Sequence, residues 1–421
     1  MDTKALTREL RHKGVWYWIR VLAVAILGVL LSNVLADHPP QWMLELRLSA
    51  YRILEGTTHR QPEIGTLAVA LISDEEFWKG TELQGRRPTK RGYIGKLVKS
   101  LCDDGAAVVA LDFDLRSPVP DGSLPNHPDY KNETDDLVSA IVEAQETCRI
   151  VLPAALNCPN PPDGVCTRDA TVLDAYRPRF TDHVSWGYIN LPADIRQIPL
   201  RRANVDSGTL DSLSQALAAA GPSQFFPPRL EGTREFPYGS FISEQAFAEA
   251  HSVFRAGDIA NNSPALASVR GKSVLIGGSW HASAFGRGPM VDAHVSPVGS
   301  IPGVYMHANY AAAILDGRYY APAGKVLSSI VDVTIIAAIA VLFALPMGWP
   351  RRWLWVGFVG LAISIVSYLL WQNLGLFLEA TIPCVLLFCH SLFDEYLKMR
   401  EELVALRAQA AQGRGRKKTE T

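Results

Sequence analysis

The sequence predicts an extracytoplasmic α/β domain with a mainly parallel sheet, together with an α-helical membrane bundle. Three observations lead to this fold class. Short apolar runs alternate with helical patterns through the middle of the chain, which is the order of an α/β fold. Four apolar stretches, each of about 20 residues and thus long enough to cross a bilayer, lie outside that region. The 421 residues are 48% hydrophobic and 20% charged, which indicates a polar domain combined with apolar segments.

Short apolar runs identify the strands of the α/β domain. Runs that are apolar almost throughout indicate strands buried on both faces, as in parallel sheets. Between the first runs, Tyr93, Leu97 and Leu101 repeat at helical spacing, and Thr134 is a predicted N-cap of the next helix. The predicted strands lie at 67–73, 106–114, 149–156, 187–190 and 272–278, and later helices at 210–219 and 304–315.

The four long apolar stretches are the predicted membrane spans, at 16–35, 326–345, 353–371 and 374–393. Lys and Arg are concentrated before the first span, after the second and after the fourth, which predicts that both termini are cytoplasmic. The first stretch is either an uncleaved anchor or a signal peptide that is removed, and both alternatives place the α/β domain outside the cytoplasm.

Four segments follow from this topology. Residues 1–36 form a cytoplasmic start and the first transmembrane helix, and residues 37–323 form the extracytoplasmic domain. Residues 324–393 form three transmembrane helices, and residues 394–421 form a short cytoplasmic coiled coil with a basic tail. The coiled coil is predicted because apolar residues repeat there at heptad spacing, at Leu392, Tyr396, Met399, Leu403, Leu406 and Ala410.

Six short motifs occur in a consistent order between residues 41 and 393. They read LELRLSAYRIL, VALISDEEF, LVKSLCDDGAAVVALDFDLRSP, WGYINLPADIRQIPL, RGKSVLIGGS and IPGVYMHANYAAAILDGRYY. In these motifs, and in the closely spaced apolar stretches that follow, the chain resembles the type-two CHASE domain, an extracellular sensor attached to bacterial cyclases and histidine kinases. The resemblance implies a multi-pass protein of the bacterial inner membrane whose large domain lies in the periplasm or outside the cell.

Three carboxylates stand at the ends of two predicted strands. Asp74, Asp112 and Asp114 come at or just after these ends, and ligands of open α/β sheets bind at that edge. They are therefore candidates to bind a cation or an amine, although capping of the turns that follow is the alternative. Arg91 ends a basic run before a helix, where backbone N–H groups help to hold an anion; a solvated loop is the alternative.

Ser279 and His307 complete the candidate ligand-binding residues. Ser279 follows a strand in GGSWH, which has part of the G-x-S-x-G pattern of hydrolases but places His281 where the last Gly belongs. We therefore expect Ser279 to face a ligand or a turn, and we expect no enzyme activity. His307 belongs to a loose group with Asp292 and His294 that lacks regular metal-ligand spacing, so neither a metal nor a cofactor is expected.

The cysteines predict one disulfide. Cys158 and Cys166 flank a Pro-rich loop in a compartment expected to be oxidising, so we expect them to be bonded. Cys102 and Cys148 each lie between a predicted helix and a strand and are a second, less favoured pair.

These features predict a membrane-anchored receptor-type sensor that detects an extracytoplasmic ligand or protein. Asp332, an acid within the second apolar stretch, is expected to couple the domain to the transmembrane helices. The signal is expected to pass through those helices to a cytoplasmic effector in trans, since only 28 residues follow the fourth stretch (421 − 393 = 28). Membrane lipids are expected partners, and a homodimer is left open. A net charge of −1 gives no reason to expect nucleic acid. The alternative is a non-sensing membrane scaffold that holds an envelope protein.

Overall fold

The computed structural model describes residues 64–116, 130–158, 165–191, 203–221, 238–239, 242–315, 319–322, 325–344, 349–374 and 376–377, apart from single positions at 207, 262, 285 and 297, and a few isolated positions nearer the termini. The chain divides into two compact units. The larger is Glu45–Ala321, and the smaller combines Met1–Leu44 with Pro322–Thr421. The sequence places the corresponding borders of the α/β domain at 37 and 323.

Short strands and helices alternate along the larger unit. The strands are β1 Leu67–Ser73, β2 Val108–Leu111, β3 Arg149–Asn157, β4 Thr167–Asp169, β5 Val184–Tyr188, β6 Ala203–Val205, β7 Gly208–Leu210, β8 Tyr238–Gly239, β9 Val253–Arg255, β10 Ser273–Ser279, β11 His281–Ser283, β12 Arg287–Met290, β13 Ala293–Ser296, β14 Gly299–Pro302, β15 Tyr319–Pro322 and β16 Leu376–Phe377. The helices are α1 Asp74–Lys79, α2 Arg91–Asp103, α3 Tyr130–Ala144, α4 Leu213–Ala220, α5 Glu244–Glu249, α6 Ala256–Ala260, α7 Gly303–Leu315, α8 Lys325–Ala344 and α9 Trp349–Leu374.

A parallel sheet forms the centre of the larger unit. Its strand order is β5–β3–β2–β10–β1–β9, and β4 adds to β3 in the antiparallel direction. β1 pairs with β10 along its whole length, from Leu67 opposite Ser273 to Ser73 opposite Ser279. β2, β10 and β1 are neighbours with the same direction, so their carboxyl ends lie at one edge of the sheet.

Helices cover both faces of this sheet. Ala68, Ala70 and Ile72 of β1 are completely buried in the core that α2, α3 and α6 share with the sheet. The opposite face carries α4 and α7, which pack on each other as well as on the strands. Burial on both faces explains why the central strands are apolar at almost every position. The predicted α/β fold with parallel strands is therefore confirmed.

One predicted helix boundary is wrong. The helix expected to start after Thr134 begins four residues earlier, at Tyr130. Thr134 is therefore inside the helix, and its buried hydroxyl accepts a hydrogen bond from Arg91 Nη1 at 2.7 Å instead of capping the backbone.

The predicted α-helical membrane bundle is not found. Within the part of the chain that the structure describes, none of the helices combines the length and the apolar character that a membrane crossing requires. A count of apolar residues identifies a span only where the whole stretch forms one helix. The stretch at 374–393 does not do so, because β16 occupies Leu376–Phe377 and the rest lies outside the described residues. The stretch at 16–35 is described only in part, as helix at 19, 22–23, 26–31 and 34–35.

The predicted cytoplasmic coiled coil is not supported either. Of the tail, the structure describes only isolated helical positions. Among them the predicted core residues Tyr396, Met399 and Leu403 are exposed by 57%, 54% and 54%, so the described residues do not bury them. The other predicted core positions of the tail lie outside the described residues.

Two disulfides cross-link the larger unit. Cys158 and Cys166 are bonded, as the sequence predicts, with Cα atoms 4.3 Å apart. Cys102 and Cys148, the pair that the sequence favoured less, are bonded as well and join the end of α2 to the residue before β3. These bonds fit an oxidising compartment.

Candidate functional site

The candidate site lies at the carboxyl edge of the three central strands. Asp112 follows β2, Ser279 ends β10, and Asp74 follows β1. The N-terminal part of α7 packs over the end of β10 because residue 277 is Gly. A Cβ at Gly277 would lie 2.5 Å from Val304 Cγ2, which is too close for any larger residue. This close approach places the side chains of α7 beside Asp112.

Asp112 has a buried carboxyl group without a hydrogen-bond donor. Its side chain is 9% exposed, and the nearest described cationic atom is Nε2 of His307, 3.7 Å from Asp112 Oδ1. No donor in the described part of the chain reaches the carboxyl group within hydrogen-bond distance. Burial raises the pKa of Asp112 well above its usual value, and the nearby carboxylate of Asp292 raises it further. Such groups are rare in protein interiors and call for an explanation.

His307 is held in one orientation on the side of α7 that faces Asp112. Its imidazole is fully buried, with Nε2 at 3.2 Å from the carbonyl of Ile189 and Nδ1 at 3.2 Å from Ser214 Oγ. Because a carbonyl only accepts, this geometry places the proton on Nε2. The Ser214 hydroxyl, which lies beside Nδ1, donates to the backbone carbonyl of His307 at 3.0 Å. Burial lowers the pKa of His307 to about 4, although Asp292 and the Ile189 carbonyl oppose the shift.

Asp292 and His294 stand at the exposed side of this pair. Asp292 Oδ1 lies 2.8 Å from His294 Nε2, and the two side chains are 54% and 21% exposed. The Asp292 carbonyl accepts the N–H of Gly303 at 2.9 Å, at the start of α7. The Asp292 carboxylate lies against Gly303, in the space that a Cβ at this position would occupy, so a larger residue there would displace the Asp292 side chain. We call Asp112, Ser214, Asp292, His294 and His307 the rim site.

Two of the candidate carboxylates have structural partners instead. Asp74 Oδ1 accepts the N–H of His281 at 2.9 Å and so anchors the β11–β12 hairpin to the end of β1. Asp114 receives Arg116 through two hydrogen bonds, Nε to Oδ1 at 3.0 Å and Nη2 to Oδ2 at 2.7 Å. Burial alone would raise the pKa of Asp114, but the hydrogen bonds from Arg116 outweigh it and lower the pKa.

Arg91 is also occupied by the chain itself. The residue is 2% exposed, and its guanidinium donates to Thr134. Its backbone N–H, at the start of α2, donates to Glu133 Oε2 at 3.1 Å, and Arg86 forms an ion pair with the same carboxylate. The anion expected at this helix start is therefore the side chain of Glu133.

Ser279 and Asp332 complete the predicted positions. Ser279 is partly exposed at the end of β10, and His307 contacts Ser214 and Ile189 rather than Ser279. Asp332 lies on α8 in the smaller unit and is 1% exposed; its coupling role stays a prediction. Among the described residues, no group of three or more His, Cys, Asp or Glu side chains is arranged to hold a metal ion.

The sequence did not point to Ser214, which meets His307 across a separation of 93 residues. A serine near a helix start is usually interpreted as a cap, and here the true cap is the neighbouring Ser212, whose Oγ accepts the N–H of Gln215. No local signal distinguishes the two serines.

Comparison with known proteins gives one family. The family model of the CHASE2 domain matches residues 21–347, more than three quarters of the chain. No curated protein matches, and no solved structure does. The extent of the family match, together with the α/β fold, establishes that the chain belongs to the CHASE2 domain family, a family of extracellular sensory domains.

Proposed function

We propose that this protein is a sensor whose rim site binds an extracytoplasmic cue. Membership of a sensory domain family supports the role, and the observation that carries the location is the buried carboxyl group of Asp112, which no described donor reaches. An unsatisfied buried polar group costs about 1–3 kcal/mol of stability. A ligand that donates a hydrogen bond to Asp112 would recover that free energy when it binds.

Binding rather than catalysis fits the chemistry of the rim site. A hydrolase would need a base beside Ser279, but both nitrogens of His307 contact Ser214 and Ile189. The lowered pKa of His307 also keeps the imidazole neutral at pH 7. The hydroxyl group beside it, Ser214 Oγ, is buried and donates to the backbone carbonyl of His307 at 3.0 Å. We therefore assign the site to recognition.

A route from the rim site to the exit of the domain runs through α7. Asn309 lies two positions after His307 on this helix and is fully buried. Its amide accepts the N–H of Ile242 at 2.6 Å and donates to the carbonyl of Ile242 at 3.2 Å. Upstream of Ile242, strand β8 pairs with β15, the last strand before the chain leaves the larger unit. A shift of α7 on ligand binding would thus be transmitted to the segment that leads out of the domain.

We further propose that a separate effector protein receives this signal. The family supports it, because sensory domains act on an output component. The two disulfides support placement of the larger unit in an oxidising compartment.

The test is a thermal-shift experiment on the full-length protein. The small-molecule fraction of the native growth medium is added to wild type, to Asp112→Asn and to Asp114→Asn. A ligand at a hundred times its Kd adds about 2.7 kcal/mol to the free energy of unfolding, which raises Tm by about 5 °C or more in a protein of this size. We expect this rise in wild type and in Asp114→Asn, and its loss in Asp112→Asn. Equal behaviour of all three proteins would refute the site and favour a scaffold.

A further inference from the structure

The rim site lacks one specific partner, a hydrogen-bond donor for Asp112. The carboxyl group is 91% buried (100 − 9 = 91) and faces the start of α7. The donor closest to it, Nε2 of His307, is 3.7 Å away and is directed to the carbonyl of Ile189 at 3.2 Å. A ligand that carries N–H or O–H groups would supply the donor that the described residues do not.

The charges around Asp112 favour a positively charged donor. The charged group that acts on Asp112 is a second carboxylate, Asp292, which is exposed enough to meet an incoming ligand first. The buried imidazole beside it is neutral at pH 7, because burial lowers the pKa of His307 to about 4. Among the described residues no cation opposes Asp292, so this carboxylate favours an approaching cation over an anion, and a cation beside Asp112 would stabilise the ionised form of its carboxyl group.

A metal ion is a poor match for this charge pattern. Divalent metals need at least three side-chain or carbonyl ligands at short range, and the described residues contain no cluster of that kind. An ammonium group needs only acceptors, and it supplies up to three N–H donors from a single atom. Asp112 at the base of the site and Asp292 at its mouth provide such acceptors.

We propose that the cue sensed at the rim site is a small molecule with an ammonium group, which Asp112 receives. This assignment rests on the proposed function and adds the chemical class of its ligand. When the ammonium binds, it forms an ion pair with the ionised carboxyl group of Asp112, and any proton carried by that group passes to solvent. No bond between heavy atoms forms or breaks. The ion pair lies against the first turn of α7, the helix that leads to the domain exit.

The simplest probe is methylammonium chloride, tested on the full-length protein. With two heavy atoms, it is limited to a Kd of about 6 mM at best, so concentrations up to 100 mM are required. We expect a rise in Tm of about 3 °C. Tetramethylammonium chloride has the same charge but no N–H donor, and acetamide has N–H donors but no charge. Both should leave Tm unchanged.

Two variants locate the effect. Asp112→Asn should weaken methylammonium binding at least tenfold and remove the rise in Tm. Asp114→Asn removes the same charge two residues away, where Arg116 already pairs with it, and should bind as wild type does. If Asp112→Asn does not fold, the comparison of methylammonium, tetramethylammonium and acetamide on the wild-type protein still tests the ammonium assignment. No response to methylammonium, or an equal response to tetramethylammonium or acetamide, overturns the ammonium assignment. The proposed function would stand in that case if the medium fraction still shifts wild type and not Asp112→Asn.

Discussion

Replacement of His307 by Gln should remove a pH dependence that burial creates. The pKa of His307 falls from 6.5 to about 4 in the folded protein because its imidazole is buried. The unfolded chain therefore binds a proton more readily than the folded chain between these two values. Stability from this residue is complete above pH 6.5 and is lost as pH falls towards 4. Gln retains an N–H donor for the Ile189 carbonyl but has no charged form.

The expected size follows from the shift. A difference of about 2.5 pH units corresponds to about 3 kcal/mol, since each unit is worth about 1.4 kcal/mol. Most of it, about 2.5 kcal/mol, should be lost between pH 7.5 and pH 4.5. The raised pKa of Asp112 acts in the opposite direction, because its contribution falls as pH rises above the unfolded value. The comparison is therefore made in an Asp112→Asn background, where only His307 differs.

The assay is urea unfolding of the full chain, followed by far-UV circular dichroism at pH 7.5 and 4.5. Asp112→Asn alone should lose about 2.5 kcal/mol more on acidification than Asp112→Asn with His307→Gln. Equal losses of unfolding free energy in the two proteins would show that His307 takes up a proton as readily in the folded chain as in the unfolded one. The description of His307 as a buried, neutral imidazole would then be wrong.

Three further substitutions test the scaffold around the rim site. Cys148→Ala opens a loop of 46 residues and should lower the free energy of unfolding by about 4 kcal/mol, whereas Cys158→Ala opens a loop of 8 and should lower it by about 2.5 kcal/mol, both measured in urea. Gly277→Ala forces a methyl group against Val304 and should cost about 1–3 kcal/mol in the same assay. Asn309→Leu leaves the backbone groups that it holds without partners, so amide hydrogen exchange at β8 and β15 should become faster while ligand binding persists.

The central sheet was predictable because its chemistry is local. A strand covered by helices on both faces is apolar at almost every position. The runs LAVALIS and SVLIGG therefore indicate buried strands without any knowledge of the elements that pack on them. The β1 strand has the predicted bounds, Leu67–Ser73. Helix starts were less predictable, since Thr134 resembles a cap in sequence but is used as an acceptor for Arg91 from another helix. That role depends on packing, which no local pattern records.

The membrane bundle shows where a local count fails. Twenty apolar residues are necessary for a transmembrane helix, but the count assumes that they form one continuous helix. Strand β16 within the fourth stretch breaks that assumption. The buried Asp332 in the second stretch adds a polar group that needs protein around it. Hydropathy measures composition along the chain, whereas a span also requires a particular secondary structure.

The sequence predicted the sheet edge at which the candidate site lies, but it did not predict which side chains contact one another there. Parallel strands bring their carboxyl ends together, so polar residues after β1 and β2 had to lie at the same edge. The identity of the partners is set by helices far away in sequence. His307 reaches Asp112 only because α7 is packed against β10, and Ser214 reaches His307 only because α4 and α7 pack on each other.

Asp112 and Asp114 are two positions apart in the sequence but have different surroundings in the structure. Both are acids at the end of β2, and both were candidates for the same reason. Asp114 is 49% exposed and meets Arg116 two residues on, so its charge is satisfied within its own loop. Asp112 is directed under α7, where 9% of the side chain is exposed and the other nearby acid is Asp292. Arg116 lies in the same loop as Asp114, whereas His307 reaches Asp112 from a helix that is distant in sequence. The packing of α7 on the sheet, rather than the position after a strand, therefore distinguishes the two acids.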